Sequence, residues 1–210
     1  MLARMRLPAI ISVGILSLVA CGDDGGSTPP IDSAPGDDSQ SGSDAAIDTS
    51  SGAFTLTSTA YAEGGIIPLA QVGAGQGGMN QSPPLAWTNP PAGTMSFAIV
   101  FTDINNAQAP FIHSVIYDIP ATATSVPGVI SRMYAPPEVT GAHQTNAYDN
   151  QRGYAGPCPG EMHTYEQAVY ALPTATLANA MMNTNRTAAT TAIMGNNLGV
   201  AKLTGTHTPP

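Results

Sequence analysis

Prolines punctuate this sequence too often for long helices. Pro83-Pro84, Pro90-Pro91-Ala92-Gly93, Pro136-Pro137 and Pro157-Cys158-Pro159 recur between apolar runs. Each proline lacks a backbone donor and clashes with the preceding turn of a helix, so the segments between them are short. With Gly 22 and Pro 19, about a fifth of the 210 residues are turn formers, which fits a turn-rich β protein and not a helix bundle. The intervening runs have strand character. Phe54-Thr55-Leu56-Thr57 alternates. Met95 to Phe101 is β-branched and aromatic, with Phe97, Ile99 and Phe101 on one face. Ile112 to Ile119 sets Ile112, Ser114, Ile116 and Asp118 opposite His113, Val115, Tyr117 and Ile119. Tyr165 to Leu172 and Val200 to His207 complete the set. One helix is expected from about Leu177 to Met194, rich in Ala and Met and stopped by Gly195. Long connections between strands predict a Greek-key β-sandwich, mainly β, with one or two short helices near the C-terminus. Among 19 prolines, about one cis X-Pro bond is expected.

Charge is sparse and uneven. Charged residues make up 10% of the chain, against about 25% in an ordinary soluble domain. Six bases against fourteen acids leave a formal charge of −8, too few cations to track a phosphate backbone, so nucleic-acid binding is excluded. Between Gly22 and Gly52 stand seven acids (Asp23, Asp24, Asp32, Asp37, Asp38, Asp44, Asp48) and no base. From Ala53 onward seven acids meet four bases (Arg132, Arg152, Arg186, Lys202), a net of −3.

The amino terminus reads as an export signal. Arg4 and Arg6 form a basic n-region, and Ala9 to Ala20 is apolar apart from Ser12, Gly14 and Ser17. That is the length of a signal-peptide core and too short to span a bilayer. It ends at Leu18-Val19-Ala20-Cys21, which resembles a bacterial lipobox, where the cysteine is acylated and the chain is cut just before it. An ordinary signal peptide with an incidental cysteine is the competing reading. Gly22, not Asp, follows Cys21, so the retention signal of the inner membrane is missing and an outer-membrane lipoprotein of the bacterial cell envelope is expected. Stable anchoring takes more than one acyl chain, which the lipoprotein modification supplies. Residues 22–52 are Asp, Ser, Gly, Pro and Thr with Ile31 and Ile47 the only large apolar side chains, too little to offset the entropy of ordering them. The expected organisation is a signal peptide at 1–20, a lipidated Cys21 with an acidic linker to 53, and a folded domain at 54–210.

No Gly-x-Ser-x-Gly elbow, Walker loop, Gly-x-Gly-x-x-Gly or His-Glu-x-x-His string occurs in the sequence. Four histidines remain as candidates. His207 lies among Thr and Pro and is expected in solvent. His143 sits in a polar stretch and suits a loop. His113 falls within an apolar strand, on the face of Val115 and Tyr117. His163 follows the Gly156-Pro157-Cys158-Pro159-Gly160 turn and opens the strand that carries Tyr165. Asp103 ends the Phe97–Phe101 strand. Taken singly, each has an ordinary structural explanation, a core histidine on a backbone partner or an aspartate capping a turn.

Taken together they match a family. NQSPPLAW (Asn80 to Trp87), PPAGTMSFAIVFTD (Pro90 to Asp103), FIHSVIYDIP (Phe111 to Pro120), GYAGPCPGEMHTYEQAVYAL (Gly153 to Leu172) and GNNLGVAKLTGTH (Gly195 to His207) resemble the phosphatidylethanolamine-binding protein family, in its bacterial, Raf-kinase-inhibitor-like branch. The resemblance runs from about Phe54 to His207. It implies a β-sandwich with a small anion pocket at one end, built here from Asp103, His113, Gly156, His163 and Tyr165. The family's Asp-Pro-Asp segment becomes Asp103-Ile104-Asn105, so the second acid is absent. Its His-Arg-Tyr becomes His163-Thr164-Tyr165, so the arginine is absent too.

Such a pocket suits phosphate or a phosphoethanolamine headgroup. Imidazole N–H groups, the Tyr165 hydroxyl and backbone N–H groups of the Gly/Pro turn can donate to phosphate oxygens, and Asp103 can orient a histidine as a donor. It needs no metal, cofactor or nucleophile. Three other readings stay open on the residues alone: a metal site from two histidines and a carboxylate, a hydrolase with a histidine base, and a protease or protein inhibitor by analogy with eukaryotic relatives. Cys158, bracketed by prolines, reads as a structural part of its turn. The family's kinase-regulating role does not carry over to an exported lipoprotein, which meets no cytoplasmic kinase.

Overall fold

Because Phe97 to Phe101 is apolar at every position, a strand built from it must be covered on both faces. The computed structural model describes residues 52–210 and shows this arrangement. The signal sequence, Cys21 and nearly all of the acidic linker lie outside the described residues. Among those described, the strands are β1 (Thr55–Thr57), β2 (Gly65–Ile66), β3 (Leu85–Thr88), β4 (Ser96–Asp103), β5 (Phe111–Pro120), β6 (Ser125–Val126), β7 (His143–Gln144), β8 (His163–Leu172) and β9 (Gly199–His207), with one α-helix, α1 (Arg186–Gly195). β1, β3 and β6 form a small antiparallel sheet. The larger sheet runs β2-β9-β8-β4-β5-β7, antiparallel except for the β2–β9 pair.

β4 lies between β5 and β8, and two separate cores cover its faces. On one side Phe97, Ile99, Phe101, Val169 and Leu203 pack with Leu56, Trp87 and Val126 of the small sheet. The Trp87 and Phe97 rings lie 5.0 Å apart. On the other side Ala98, Val100, Val115, Tyr117 and Tyr170 pack against Leu177, Ala189 and Ile193 of α1 and the segment before it. Each fully buried Val, Leu, Ile or Phe among them contributes about 1.5–3 kcal/mol. The mainly β fold with a single α-helix near the C-terminus is the one the turn pattern predicts. Ala109–Pro110 is a cis bond.

Three expectations need correction. The first concerns β5, whose simple alternation fails twice. Ser114 pairs with Phe101 and Ile112 with Thr102, which leaves His113 as the extra residue of a β-bulge. The His113 ring therefore meets Phe101 and Tyr165, with centroids 5.1 and 5.4 Å away, and not the layer of Val115 and Tyr117. A second bulge lies where Ile116 and Ile119 face Ile99 and Phe97. Asp118 there takes φ 60, a left-handed conformation that aspartate tolerates better than most residues.

The second correction concerns the helix. It starts at Arg186, not Leu177. Asn179 is left-handed at φ 59, which interrupts any helix, and the Leu177 N–H donates to Asp118 Oδ1 at 2.6 Å. Asn185 then caps α1 by accepting from the Ala188 N–H at 2.9 Å.

The third concerns His207. It is buried, and its Nε2 lies 2.7 Å from Gln76 Oε1. β9 pairs with β8 through its last residue, His207 opposite His163, so the strand carries the ring inside. His207→Ala should lower Tm by about 2–4 °C, the effect of about 1 kcal/mol in a domain of this size. A thermal melt of the variant measures it, and an unchanged Tm would show that the Gln76 contact adds nothing.

Candidate functional site

The bulge at His113 and the end of β4 bring the chemistry to one end of the large sheet. Asp103 is the last residue of β4 and pairs with Tyr165 of β8. Its carboxylate is buried and fully engaged. Oδ1 accepts the backbone N–H groups of Asn105 and Asn106 at 3.0 and 2.9 Å. Oδ2 lies 2.6 Å from Nδ1 of His163. The carboxylate thus ties down the turn after β4 and the entrance to β8 together. Asn105 completes the tie, its Oδ1 accepting the Thr164 N–H at 2.7 Å.

His113 is oriented from behind. Its Nδ1 lies 3.0 Å from the Ala155 carbonyl. A carbonyl only accepts, so Nδ1 carries the proton and a neutral ring presents a bare Nε2. Burial pushes its pKa below 6.5, only partly opposed by the Ala155 contact and the Asp103 charge. Aromatic rings surround it, with Tyr148 at 4.7 Å, Phe111 at 5.4 Å and Tyr165 at 5.4 Å between centroids.

These groups line a cleft of about 180 Å³, with Asp103, Asn106, His113, Tyr148, Cys158 and Tyr165 in its wall. Tyr165 is 1% exposed, and its hydroxyl has no hydrogen-bond partner among the described residues. Burial, then the Asp103 charge and the closeness of its carboxylate to the hydroxyl, pushes this phenol far above its ordinary value. Tyr148 is pushed up to about 12, mainly by burial. Both hydroxyls therefore stay protonated throughout the neutral range; that of Tyr148 donates to the Gly156 carbonyl at 3.2 Å, and that of Tyr165 is the one left to donate.

Of the five residues singled out in the sequence, Asp103, His113 and Tyr165 line the cleft. His163 stands behind Asp103 and acts through it. Gly156 has a different task from the one expected. Its N–H donates to Asn80 Oδ1 at 2.7 Å, so it has no donor left for a ligand. It is buried where the turn presses on the chain at Gln71 to Gly73. Gly73 donates its own N–H to Pro157 O at 2.8 Å. The Gly-Pro turn is thus a brace for the cleft wall.

Asn106, Phe111 and Tyr148 belong to the cleft and were missed. Asn106 is three residues beyond Asp103, a spacing at which an aspartate closes a turn on following N–H groups, and that signal was available. Tyr148 had none, because a long connection delivers it. His143, expected in a loop, lies in β7 with Nδ1 3.0 Å from Asp118 Oδ2, away from the cleft. Cys158 is exposed and free, and it faces the cleft as well as forming its turn.

The pattern described as "Phosphatidylethanolamine-binding protein" matches residues 57–208. The chain belongs to the phosphatidylethanolamine-binding protein family. It is 34% identical over 128 residues to the UPF0098 protein YbcL of Escherichia coli, covering 58% of this chain and 70% of that one. It is 36% identical over 123 residues to YbhB of the same organism, covering 56% and 77%. A UPF0098 protein of Aquifex aeolicus is 33% identical over 90 residues, 43% of this chain, and the chain spans about half of that relative's length, 51%. Among solved structures, E. coli YbcL, described as a new member of the mammalian PEBP family, superposes with TM-score 0.69 at 27% identity, covering 75% of this chain and 99% of that one. A PEBP homologue from Chlamydia trachomatis, CT736, shares the fold with TM-score 0.62 at 23% identity, covering 75% and 99%.

Proposed function

We propose that this member of the family is an envelope-anchored binding protein whose cleft takes a small anion, either free phosphate or the phosphate of a lipid headgroup. One observation carries the reading. The buried Tyr165 hydroxyl, beside the Asp103 carboxylate, makes no hydrogen bond of normal geometry among the described residues, and it shares a cleft with His113, whose Nε2 forms no hydrogen bond to any described residue. An unpaired buried hydroxyl is costly, and an anion accepting from Tyr165 and a protonated His113 removes that cost; the Tyr148 hydroxyl already donates to the Gly156 carbonyl at 3.2 Å. Asp103 does not repel such a ligand strongly, because His163 and two backbone N–H groups already surround its charge.

The pH dependence follows. Free His113 has a pKa below 6.5, and a bound anion raises it. The bound state holds a proton that the free state lacks. Affinity is therefore greatest below the free pKa and falls as pH rises from the free value through the bound value. Calorimetry of the full chain in detergent, with sulfate as a tetrahedral anion that does not itself titrate near neutral pH, in two buffers of different ionisation enthalpy, reads this directly. Net proton uptake on binding is expected near neutral pH. His113→Phe keeps the packing and should weaken binding by about 1.5–3 kcal/mol, the range for a hydrogen bond to a charged group. Binding with no proton exchange and unchanged affinity in the variant contradicts the proposal.

Among the described residues, no cluster of three His, Cys, Asp or Glu side chains is placed to hold a metal ion. His163 and Asp103 are committed to each other.

The anchor is part of the same proposal. Its support is the Leu18-Val19-Ala20-Cys21 string behind a basic start and an apolar core. No helix of the described residues is long and apolar enough to cross a membrane. Cys21→Ser in the full chain should abolish acyl labelling and release the protein from the membrane fraction. Equal labelling of the variant contradicts the lipobox.

A further inference from the structure

Phe111 lines two spaces, the cleft and a separate groove of about 440 Å³ along α1, where Arg186, Thr187 and Thr190 also contribute. The Arg186 guanidinium sits over the Phe111 ring, 5.9 Å from its centroid. One aromatic ring therefore separates a cation from the His113 cleft.

Arg186 is poorly satisfied for a cation. Arg132 holds Asp149 at 2.7 Å and Lys202 holds Glu166 at 3.1 Å. Arg186 has no carboxylate partner among the described residues; it donates through one nitrogen to the Ala147 carbonyl at 3.2 Å. No acidic side chain lines the groove. A second, independent observation lies beside it. Thr190 lines the same groove and is 7% exposed, and its hydroxyl is buried with no hydrogen-bond partner among the described residues. A guanidinium without a carboxylate partner and a buried hydroxyl without a hydrogen bond among the described residues, at positions 186 and 190 of one helix, are neighbours by helical spacing.

We infer that Arg186 and Thr190 form a second subsite, across Phe111 from the His113–Tyr165 cleft, for a carboxylate or other anionic group on the far end of the bound phosphate compound. The inference rests on the anion cleft proposed above and specifies its ligand as two-headed and acidic at both ends. A planar guanidinium binds a carboxylate through two parallel hydrogen bonds, and Thr190 adds a donor. The apolar Phe111 ring suits the linker between the two heads. A phosphoethanolamine compound fits poorly, because its ammonium would face the guanidinium.

The test is a calorimetric titration of the full chain in detergent with matched pairs of compounds. Each pair is an ω-phosphonocarboxylate and the alkylphosphonate of the same chain length, over a series of lengths. At the fitting length the carboxylate should tighten binding by about tenfold or more, and the matched aminoalkylphosphonate should bind no tighter than the alkyl compound. Arg186→Gln should bring the ratio within a pair close to one, and Thr190→Val should reduce it. If the alkylphosphonate binds and the carboxylate adds nothing at any length, the second subsite is overturned while the cleft stands. If no alkylphosphonate binds, the cleft fails and the two-headed ligand fails with it. A ratio that survives Arg186→Gln also overturns the assignment.

Discussion

Gly156→Ala should destabilise the domain by about 4 kcal/mol, at the upper end of single-substitution effects. A Cβ at Gly156 would fall inside the van der Waals shell of the Gln71 carbonyl and lie 2.8 Å from the Gly73 nitrogen. Both obstacles are backbone atoms, so no side chain can swing aside. The Gly156 N–H is held by Asn80 and the neighbouring Pro157 carbonyl by Gly73, so relief in either direction breaks a hydrogen bond. At about 2–4 °C per kcal/mol, Tm should fall by roughly 10 °C. Gly160→Ala is the control. Nothing lies within 4 Å of a Cβ there, and the change should stay within about 0.5 kcal/mol. Equal melting of the two variants would show that the Gln71–Gly73 segment is not a fixed wall.

Asp103→Ala should be nearly as severe and should also disable the cleft. The variant strands the N–H groups of Asn105 and Asn106 and leaves His163 without its partner. Removing one side of a buried charged pair costs about 3–5 kcal/mol. Asp103→Asn should recover most of the stability, because an amide oxygen can still accept both N–H groups. It should not recover the His163 contact in its original sense. Chemical denaturation of both variants separates the two roles. If Ala and Asn variants are equally stable, the turn after β4 does not depend on this side chain. If phosphate binds both variants as well as it binds the parent chain, Asp103 does not shape the cleft.

Local pattern and tertiary accident account for what the sequence did and did not disclose. β4, β5, β8 and β9 were legible because β-branched and aromatic runs lie between proline turns, and burial on both faces makes such runs continuous. Asp103, His113 and Tyr165 were legible because they sit at strand positions inside the motifs that carry the family resemblance. The face of His113 was not legible. A bulge adds one residue to β5 and moves the ring from the Val115 layer to the Phe101 side, and nothing in FIHSVIYDIP announces it. The start of α1 was misplaced for a related reason. Ala and Met near 177–184 favour a helix, but the Asp118 carboxylate takes the Leu177 N–H and Asn179 turns left-handed. Gly156 and His207 failed because their partners, Asn80 and Gln76, lie 76 and 131 residues away in the chain. Pairings at that range have no local signature.

Histidine-selective ¹⁵N NMR of the full chain in detergent tests the anion cleft most directly. Inorganic phosphate is titrated in near neutral pH while the Nε2 resonance of each ring is followed. The cleft predicts that His113 Nε2 moves from an unprotonated to a protonated position in a saturable way, that His163 responds through Asp103, and that His143 and His207 stay in place. Saturation with His113 Nε2 still unprotonated and unmoved would contradict it.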